Sequence, residues 1–186
     1  MKKIWIIVIA AVVVLLGVWM YSSYNSLVSA NEAVSNQWAQ VQTQYQRRFD
    51  LIPNLVNSVK GILTQEQTVF TAIADARTHY AGATTNDGKA AAAGEVESAL
   101  GRLLVITENY PELKSSTNVQ DLMTELEGTE NRISVERKRY NDLVQDYNLK
   151  TKQFPGSVVA AIFGFKEHAY FNADTAAATA PVVNLQ

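Results

Sequence analysis

Ile4-Trp-Ile-Ile-Val-Ile-Ala-Ala-Val-Val-Val-Leu-Leu-Gly-Val-Trp-Met20 is the stretch of sequence on which the arrangement of the whole chain depends. It contains no charged residue and no proline. A helix of about 17 residues is near the lower limit for crossing the hydrocarbon core of a bilayer. Backbone groups find no hydrogen-bond partners in lipid, so such a segment must be helical. We predict a transmembrane anchor whose lipid-facing residues include Ile4, Trp5, Leu15, Leu16 and Trp19.

The residues that flank this stretch predict its orientation in the membrane. Lys2 and Lys3 precede it, and the next basic residue along the chain is Arg47. Tryptophans lie near both of its ends, as in an aromatic belt. Because positively charged flanks remain in the cytoplasm, we predict a cytoplasmic N-terminus. Residues 1–23 would form the cytoplasmic start and the anchor, and the rest of the chain would lie outside the cytoplasm.

A cleaved signal peptide is the alternative interpretation of the same segment. A basic start and an apolar core are followed by Val28, Ser29 and Ala30, which loosely fit a small-residue cleavage site. The apolar run is long for a signal core, however, and no small-residue site follows it directly. Cleavage after Ala30 would also remove the beginning of the next helix, so the uncleaved anchor is favoured.

Length and composition limit what the remainder can be. The chain has 186 residues, which leaves room for one domain beyond the anchor. It has no cysteine, which excludes disulfides, thiolate metal sites and cysteine nucleophiles. The formal net charge is −2, and both N-terminal lysines precede the anchor, so the domain itself is acidic. This balance excludes nucleic acid as a partner, because nucleic-acid binding needs a basic surface.

A heptad pattern follows the anchor directly. Apolar residues alternate at spacings of three and four, with polar residues between them, which is typical of a helix with one apolar seam. The seam comprises Tyr24, Leu27, Asn31, Val34, Trp38, Val41 and Tyr45. We predict that anchor and seam form one helix. A polar residue at a seam position can fix an oligomeric state, so Asn31 is a candidate for self-association, together with Trp38 of the same seam. The alternative is an ordinary helix whose seam packs within its own chain.

Residues 47–56 are predicted to form a corner between two helices. Asp50 could cap a new helix, and Pro53 would be tolerated in its first turn. Arg47 or Arg48 could then clamp a carboxylate of the fourth helix and fix the corner. Alternatively, the arginines could dock an acidic partner at this exposed tip, next to Asn54.

Three further helices are predicted along the rest of the domain. The second runs to about residue 80, a loop covers residues 81–89, and the third extends over about residues 90–109. Gly94, Ser98 and Gly101 form a small-residue strip on the third helix that would let another helix approach closely. Pro111 ends this helix. The fourth begins near residue 117 and carries Glu130 and Arg132. We therefore predict an all-α fold, an antiparallel bundle of about four long helices over residues 24–153.

Two segments follow the bundle. Residues 154–172 contain a run of apolar residues that is too short to span a bilayer. This membrane-proximal segment, with Ile162, Phe163 and Phe165, either lies in the membrane interface or packs under the base of the bundle. Residues 173–186 are rich in alanine and threonine and are predicted to be a disordered tail.

Several motifs together resemble the LemA family. They span almost all of residues 24–171 in the order expected for that family. The main one is Gln46-Arg-Arg-Phe-Asp-Leu-Ile-Pro-Asn-Leu-Val56, supported by Tyr24-Asn-Ser-Leu-Val28, Tyr110-Pro-Glu-Leu-Lys114 and Glu127-Gly-Thr-Glu-Asn-Arg-Ile133. The resemblance implies a bacterial membrane protein with one N-terminal anchor and a helical bundle, and we predict that it lies in the inner membrane. The resemblance implies no activity.

The sequence contains no recognisable catalytic or metal-binding constellation. His79 and His168 are the only two histidines, and neither belongs to a zinc or di-iron helix motif. Glutamates such as Glu95, Glu97 and Glu130 could build a carboxylate site, but exposed or paired carboxylates are the simpler interpretation. We predict no catalytic residue, no cofactor and no metal, and hence no enzyme.

The anchor, the seam and the second apolar segment favour a structural function. We predict a scaffold that self-associates into a homo-oligomer and organises membrane in the bacterial envelope. The alternative is a monomeric adaptor whose bundle tip at residues 47–54 binds an envelope protease or signalling partner. The predicted partners are membrane lipid, further copies of the chain, and an envelope protein in the adaptor case.

Overall fold

A computed structural model describes residues 2–61 and 67–171, and every regular element in these ranges is a helix. The all-α prediction is therefore confirmed. The helices are α1 (Lys2–Lys60), α2 (Gln67–Gly82), α3 (Asn86–Glu108), α4 (Pro111–Lys114), α5 (Thr117–Lys152) and α6 (Gly156–Phe163). The predicted disordered tail, residues 173–186, lies outside the described residues.

Helix α1 continues without interruption for 59 residues, so anchor and seam form one helix as predicted, whereas the corner predicted at residues 47–56 is wrong. Asp50 caps nothing and instead accepts a hydrogen bond from Gln46, one turn earlier. Pro53 lies inside the helix, which costs about 3 kcal/mol because the Phe49 carbonyl loses its helical donor. Burial of Phe49, Ile52 and Leu55, at about 1.5–3 kcal/mol each, outweighs that cost.

Helix α5 packs against the second half of α1 in the opposite direction. Gln37 Nε2 donates to Glu136 Oε2 at 2.6 Å. Further along α1, Asn118 near the start of α5 donates from Nδ2 to Ser58 Oγ at 3.2 Å. Residues further along α1 thus contact residues nearer the start of α5, so the two helices are antiparallel. Trp38 of α1 meets Tyr140 of α5 edge-on across their interface, with ring centroids 5.7 Å apart. Tyr45 of α1 and Tyr147 of α5 are almost completely buried.

Helices α2 and α3 form a hairpin that packs on this pair. Only residues 83–85 separate them, a shorter loop than the one predicted over residues 81–89, because Thr85 caps α3 by accepting a hydrogen bond from the Gly88 N–H. Tyr80 of α2 contacts the rings of Tyr45 and Phe49 edge-on, with centroids 5.8 and 4.5 Å away. The regular four-helix antiparallel bundle stays a prediction.

The N-terminal part of α1 is left uncovered by the helical domain. Large apolar side chains from Ile4 to Val18 are about half to two-thirds exposed. The most apolar window of α1 has a mean hydropathy of 2.7, and none of it is buried. By length and composition this part of α1 is able to cross a membrane.

Candidate functional site: a cleft at the end of a C-terminal strap

An extended segment, residues 164–171, connects α6 to one face of the α1–α5 pair, and we call it the strap. It begins at Gly164, whose φ of +76° lies in the left-handed region that glycine adopts without strain. This residue ends α6 and lets the chain turn back along α5. The strap therefore runs away from the apolar end of α1.

Two asparagines of α5 hold the strap by its backbone. Asn148 Nδ2 donates to the His168 carbonyl at 2.9 Å, and the His168 N–H donates to Asn148 Oδ1 at 3.0 Å. Asn141 makes the same pair of bonds with Phe171, at 3.0 and 2.9 Å. Seven residues of helix rise by about 10.5 Å, which matches three residues of extended chain at about 3.3 Å each. The spacing of the asparagines thus fits the strap.

Side chains of the strap complete the packing between α1 and α5. His168 Nε2 lies 2.8 Å from Asn31 Oδ1. The Phe171 ring stacks on Trp38 with centroids 5.3 Å apart and meets Tyr140 edge-on at 5.2 Å. Burial lowers the pKa of His168, because a charged imidazole is less stable away from water.

A cleft with a volume of about 960 Å³ begins where the strap ends. Small residues of α3 form one wall, namely Ala90, Ala91, Gly94 and Ser98. Trp38, Arg137 and Tyr140 belong to the opposite wall, and Phe171 lies at the end nearest the strap. Asp75, Asp87 and Glu95 place negative charge along the lining.

A charged cluster connects the cleft to the interior. Arg137 donates from Nε to the Tyr45 hydroxyl at 2.9 Å and from Nη2 to Glu97 Oε2 at 3.3 Å. Its guanidinium also lies 5.5 Å from the ring centroids of both Tyr45 and Phe171, within cation–π range. Arg137 therefore links α5 to α1, to α3 and to the strap.

The cluster shifts the protonation of its acidic members. Burial raises the pKa of the Glu97 carboxyl, and the neighbouring Glu130 raises it further, while Arg137 acts in the opposite direction. Burial likewise raises the pKa of Tyr45, and it raises the pKa of Tyr80 to about 12. These groups are therefore stabilised in their neutral forms.

The sequence match extends from the second part of α1 through the other helices to the strap. Residues 37–185 match the LemA family. This chain belongs to the LemA family. The resemblance found in the sequence is thereby confirmed, and the match includes α5, the strap and the residues that follow it.

Magnetosome proteins are among the relatives of this LemA-family protein. MamQ 1 and MamQ 2 of Paramagnetospirillum magneticum (strain ATCC 700264 / AMB-1) are each 29% identical over 189 residues, covering 88% of this chain and 69% of the relative. MamQ of Magnetospirillum gryphiswaldense (strain DSM 6361 / JCM 21280 / NBRC 15271 / MSR-1) is 28% identical over 189 residues, with the same coverage.

The predicted corner residues of this LemA-family protein have separate environments. Arg48 is buried and forms an ion pair with Glu130 of α5, so the predicted clamp to the fourth helix exists without a corner. The other polar residues predicted there, Arg47, Asp50, Asn54 and Arg132, are exposed, and Pro53 is half-buried within α1. The segment lies along a helix and forms no tip.

The candidates for self-association also separate into two groups. Trp38 is buried against Tyr140 and Phe171, and Asn31 contacts His168, so both serve contacts within one chain. The second group, the small-residue strip of α3, has open space beside it. Gly94 and Ser98 line the cleft, and a Cβ atom added at Gly94 or Gly101 would meet nothing within 4 Å.

An apolar surface, which we call the foot, surrounds the point where the anchor meets the domain. Helix α6 buries Val159 and Ala160 against its neighbours. Its other side and Phe154, two residues before the helix, leave large apolar groups exposed, namely Phe154, Val158, Ile162 and Phe163. Ring contacts join the foot to α1: Trp19 lies 5.5 Å from Phe154, and Tyr24 lies 4.8 Å from Phe163, measured between ring centroids. Tyr24 also contacts Phe165, at the start of the strap, at 5.7 Å.

Sequence reasoning missed the residues that organise the cleft. Asn141 and Asn148 were not singled out, although their spacing of seven on one helix is a visible signal for a repeated contact. Arg137 was not singled out either. Within residues 2–61 and 67–171, no group of three or more His, Asp or Glu side chains could hold a metal ion.

Proposed function

We propose that this LemA-family protein is a single-pass membrane scaffold that self-associates and organises the bacterial envelope membrane. The observation that carries the proposal is the meeting of two exposed apolar surfaces at one end of the domain. One is the first part of α1, and the other is the foot. An anchor alone would tether the domain, whereas an anchor beside an apolar foot also fixes how the domain sits on lipid.

The foot supports seating at the membrane surface. Phe154 is 77% exposed and Ile162 is 60% exposed, which is unfavourable in water for side chains of this size. Trp19 and Tyr24 lie beside them at the end of the anchor, where aromatic rings favour the interface between lipid and water. We therefore propose that one face of this segment packs on the bundle and that the other lies in the membrane interface.

Self-association is proposed within the membrane. The seam of α1 is filled by α5 of the same chain, so it offers little to a second copy. Residues 4–18 are exposed and can be covered only by lipid or by another transmembrane helix. Ala10 and Gly17 lie seven residues apart on one face of α1, and small residues allow close packing of helices in lipid.

The similarity to proteins named for the magnetosome adds support for a structural role. The proposal includes a cytoplasmic N-terminus, an extracytoplasmic domain in the inner membrane, and a regular antiparallel bundle formed by α1, α2, α3 and α5. Because the chain contains no cysteine, the orientation can be tested with single introduced cysteines. In intact cells, a membrane-impermeant maleimide should label Ser58→Cys and leave Lys3→Cys unlabelled.

The oligomeric state is the deciding test. The full-length protein, extracted gently from its own membrane, should give one discrete homo-oligomeric mass by native mass spectrometry. Ala10→Leu combined with Gly17→Leu should lower that mass to a monomer, because bulky groups prevent close helix packing. Ala11→Leu combined with Val18→Leu is the matched control on a neighbouring face and should leave the mass unchanged.

Two outcomes would overturn the scaffold. A wild-type monomer would contradict self-association, and a monomer bound to one different protein would favour the adaptor function instead. An oligomer that survives both double variants would retain the scaffold but move its contact away from the membrane segment.

A further inference from the structure

The cleft beside α3 starts at the last described residue of the chain. Phe171 lines it, together with Ala169 and Tyr170 of the strap. The next residues, 172–186, are Asn-Ala-Asp-Thr-Ala-Ala-Ala-Thr-Ala-Pro-Val-Val-Asn-Leu-Gln, and we call them the tail. The cleft therefore lies next to the last described residue of the strap, where the tail begins.

We propose that the tail of the same chain occupies this cleft and continues the strap along α3. The proposal concerns the surface of a single chain and is independent of the scaffold function proposed above. Its occupant is a segment of stated sequence, so it can be tested residue by residue.

The direction of the strap is the first observation that supports docking of the tail in the cleft. His168 contacts Asn31 and Asn148, and Phe171 then contacts Trp38 and Asn141. Between these two residues the strap thus advances seven residues up α1 and seven residues down α5. One further advance of the same size leads past Arg137, which already lies over the Phe171 ring and belongs to the wall of the cleft.

The length of the tail is sufficient for the length of the cleft. The α3 residues that line it run from Asn86 to Arg102, which is about 24 Å of helix at 1.5 Å per residue. The tail has 15 residues, and an extended chain of that length reaches about 50 Å at 3.3 Å per residue.

The side chains of the cleft and the tail are matched in size. The α3 wall offers alanine, glycine and serine, and the open space above Gly94 lets another backbone come close. Residues 175–180 of the tail are alanine and threonine only. Two surfaces of small side chains can approach closely, and they bury apolar area with little loss of side-chain entropy.

Two further observations favour the tail over a basic partner segment. The family match continues to residue 185, so the tail belongs to the same sequence unit as the helices. Lining carboxylates such as Glu95 lie among exposed groups, and Glu95 already binds His79 at 2.7 Å. The small side chains of the α3 wall fit a segment with one charged side chain, Asp174.

Disulfide trapping in the full-length, cysteine-free chain tests the proposal directly. Ser98→Cys on the wall is combined with Ala178→Cys in the tail. Asn36→Cys, on the exposed side of α1 that faces away from Trp38, is combined with the same tail cysteine as the matched control. Under mild oxidation we expect an intrachain bond in the first pair at about ten times the rate of the second or faster, because docking raises the effective concentration of the thiols.

A second measurement keeps the result independent of cysteine chemistry. A chain ending at Phe171 should show at least a several-fold faster amide exchange over residues 90–99, and an added peptide of residues 172–186 should restore protection. Equal trapping rates for both pairs, or unchanged exchange after truncation, would overturn the proposal. Bonds formed between chains would overturn it in favour of a tail exchanged with a second copy, and protection restored only by a basic peptide would assign the cleft to another protein.

Discussion

Arg48 of α1 and Glu130 of α5 form an ion pair across 82 residues of sequence. The Arg48 side chain is 10% exposed, and its Nε atom has no hydrogen-bond partner among the described residues. Glu130 therefore supplies the charge compensation that a buried guanidinium needs. The pair also fixes the register between the two longest helices of the domain.

Removal of Glu130 should destabilise the domain through the charge that it leaves behind. We expect Glu130→Ala to lower the free energy of unfolding by about 2 kcal/mol, because Arg48 would stay buried without compensation. Urea unfolding followed by circular dichroism measures the change. The exposed neighbour Arg132→Ala is the control and should change stability by less than about 0.5 kcal/mol. Equal effects of the two variants would contradict the role of the pair.

The asparagine bonds to the strap predict a second sensitive position. Asn148→Asp removes the donor to the His168 carbonyl and places a carboxylate against that oxygen. Asn148 is 3% exposed, so we expect a loss of about 1–3 kcal/mol, measured by thermal unfolding. The same substitution at exposed Asn54 is the matched control and should be nearly neutral. A neutral Asn148→Asp would show that the strap is not held in this way.

Two glycines predict opposite effects of one substitution. A Cβ atom at Gly156 would collide with the carbonyl oxygen of Lys150, so Gly156→Ala should displace α6 and destabilise the domain by more than about 1 kcal/mol. A Cβ atom at helical Gly101 would meet nothing within 4 Å, so Gly101→Ala should stabilise it by about 0.5–1 kcal/mol. Calorimetry of both variants decides the signs, and a shared sign would contradict the argument.

The two histidines should titrate on opposite sides of the ordinary value of about 6.5. The hydrogen bond that His79 donates to the Glu95 carboxylate raises the pKa of His79, and burial lowers the pKa of His168. Proton NMR of the imidazole resonances measures both. Glu95→Gln should return the pKa of His79 towards the ordinary value and leave His168 unchanged; a simultaneous shift of both would contradict the separate causes.

The same shifts predict how stability depends on pH. The fold favours protonated His79, so its contribution is complete below the unfolded pKa and is lost as the pH rises through the folded value. The fold favours neutral His168, so its contribution is complete above about pH 6.5 and is lost as the pH falls through the folded pKa. We expect His168→Gln to remove part of the acid-side loss seen in urea unfolding, and an unchanged pH profile would contradict this.

The sequence predicted helices well where apolar spacing and turn chemistry agreed. The unbroken junction between anchor and seam followed from the absence of any helix breaker, and Pro111 ended α3 as expected. At residues 47–56 the local signal from proline conflicts with the apolar spacing, and the apolar spacing decides the structure. Proline favoured a new helix, but Phe49, Ile52 and Leu55 continue the apolar seam, and their burial against other helices decided the outcome.

The cleft could not be predicted because it depends on contacts that no local pattern describes. Arg47 or Arg48 was predicted to clamp a carboxylate of the fourth helix, and Arg48 forms such an ion pair with Glu130. The strap has neither helical nor strand periodicity, and its position follows from the amide groups of Asn141 and Asn148. Those asparagines look like ordinary polar residues of an exposed helix until the strap is placed on them.

The continuity of α1 has a mechanical consequence if its first part crosses the bilayer as proposed. From Tyr24 to Lys60 the helix forms a lever arm of about 54 Å at 1.5 Å per residue. A tilt of about 20°, common for transmembrane helices, would swing its far end sideways by about 18 Å. Because α5 is joined to this arm from Asn118 to Tyr147, the domain would turn with it. A change in bilayer thickness would thus be amplified into a displacement far above the membrane surface.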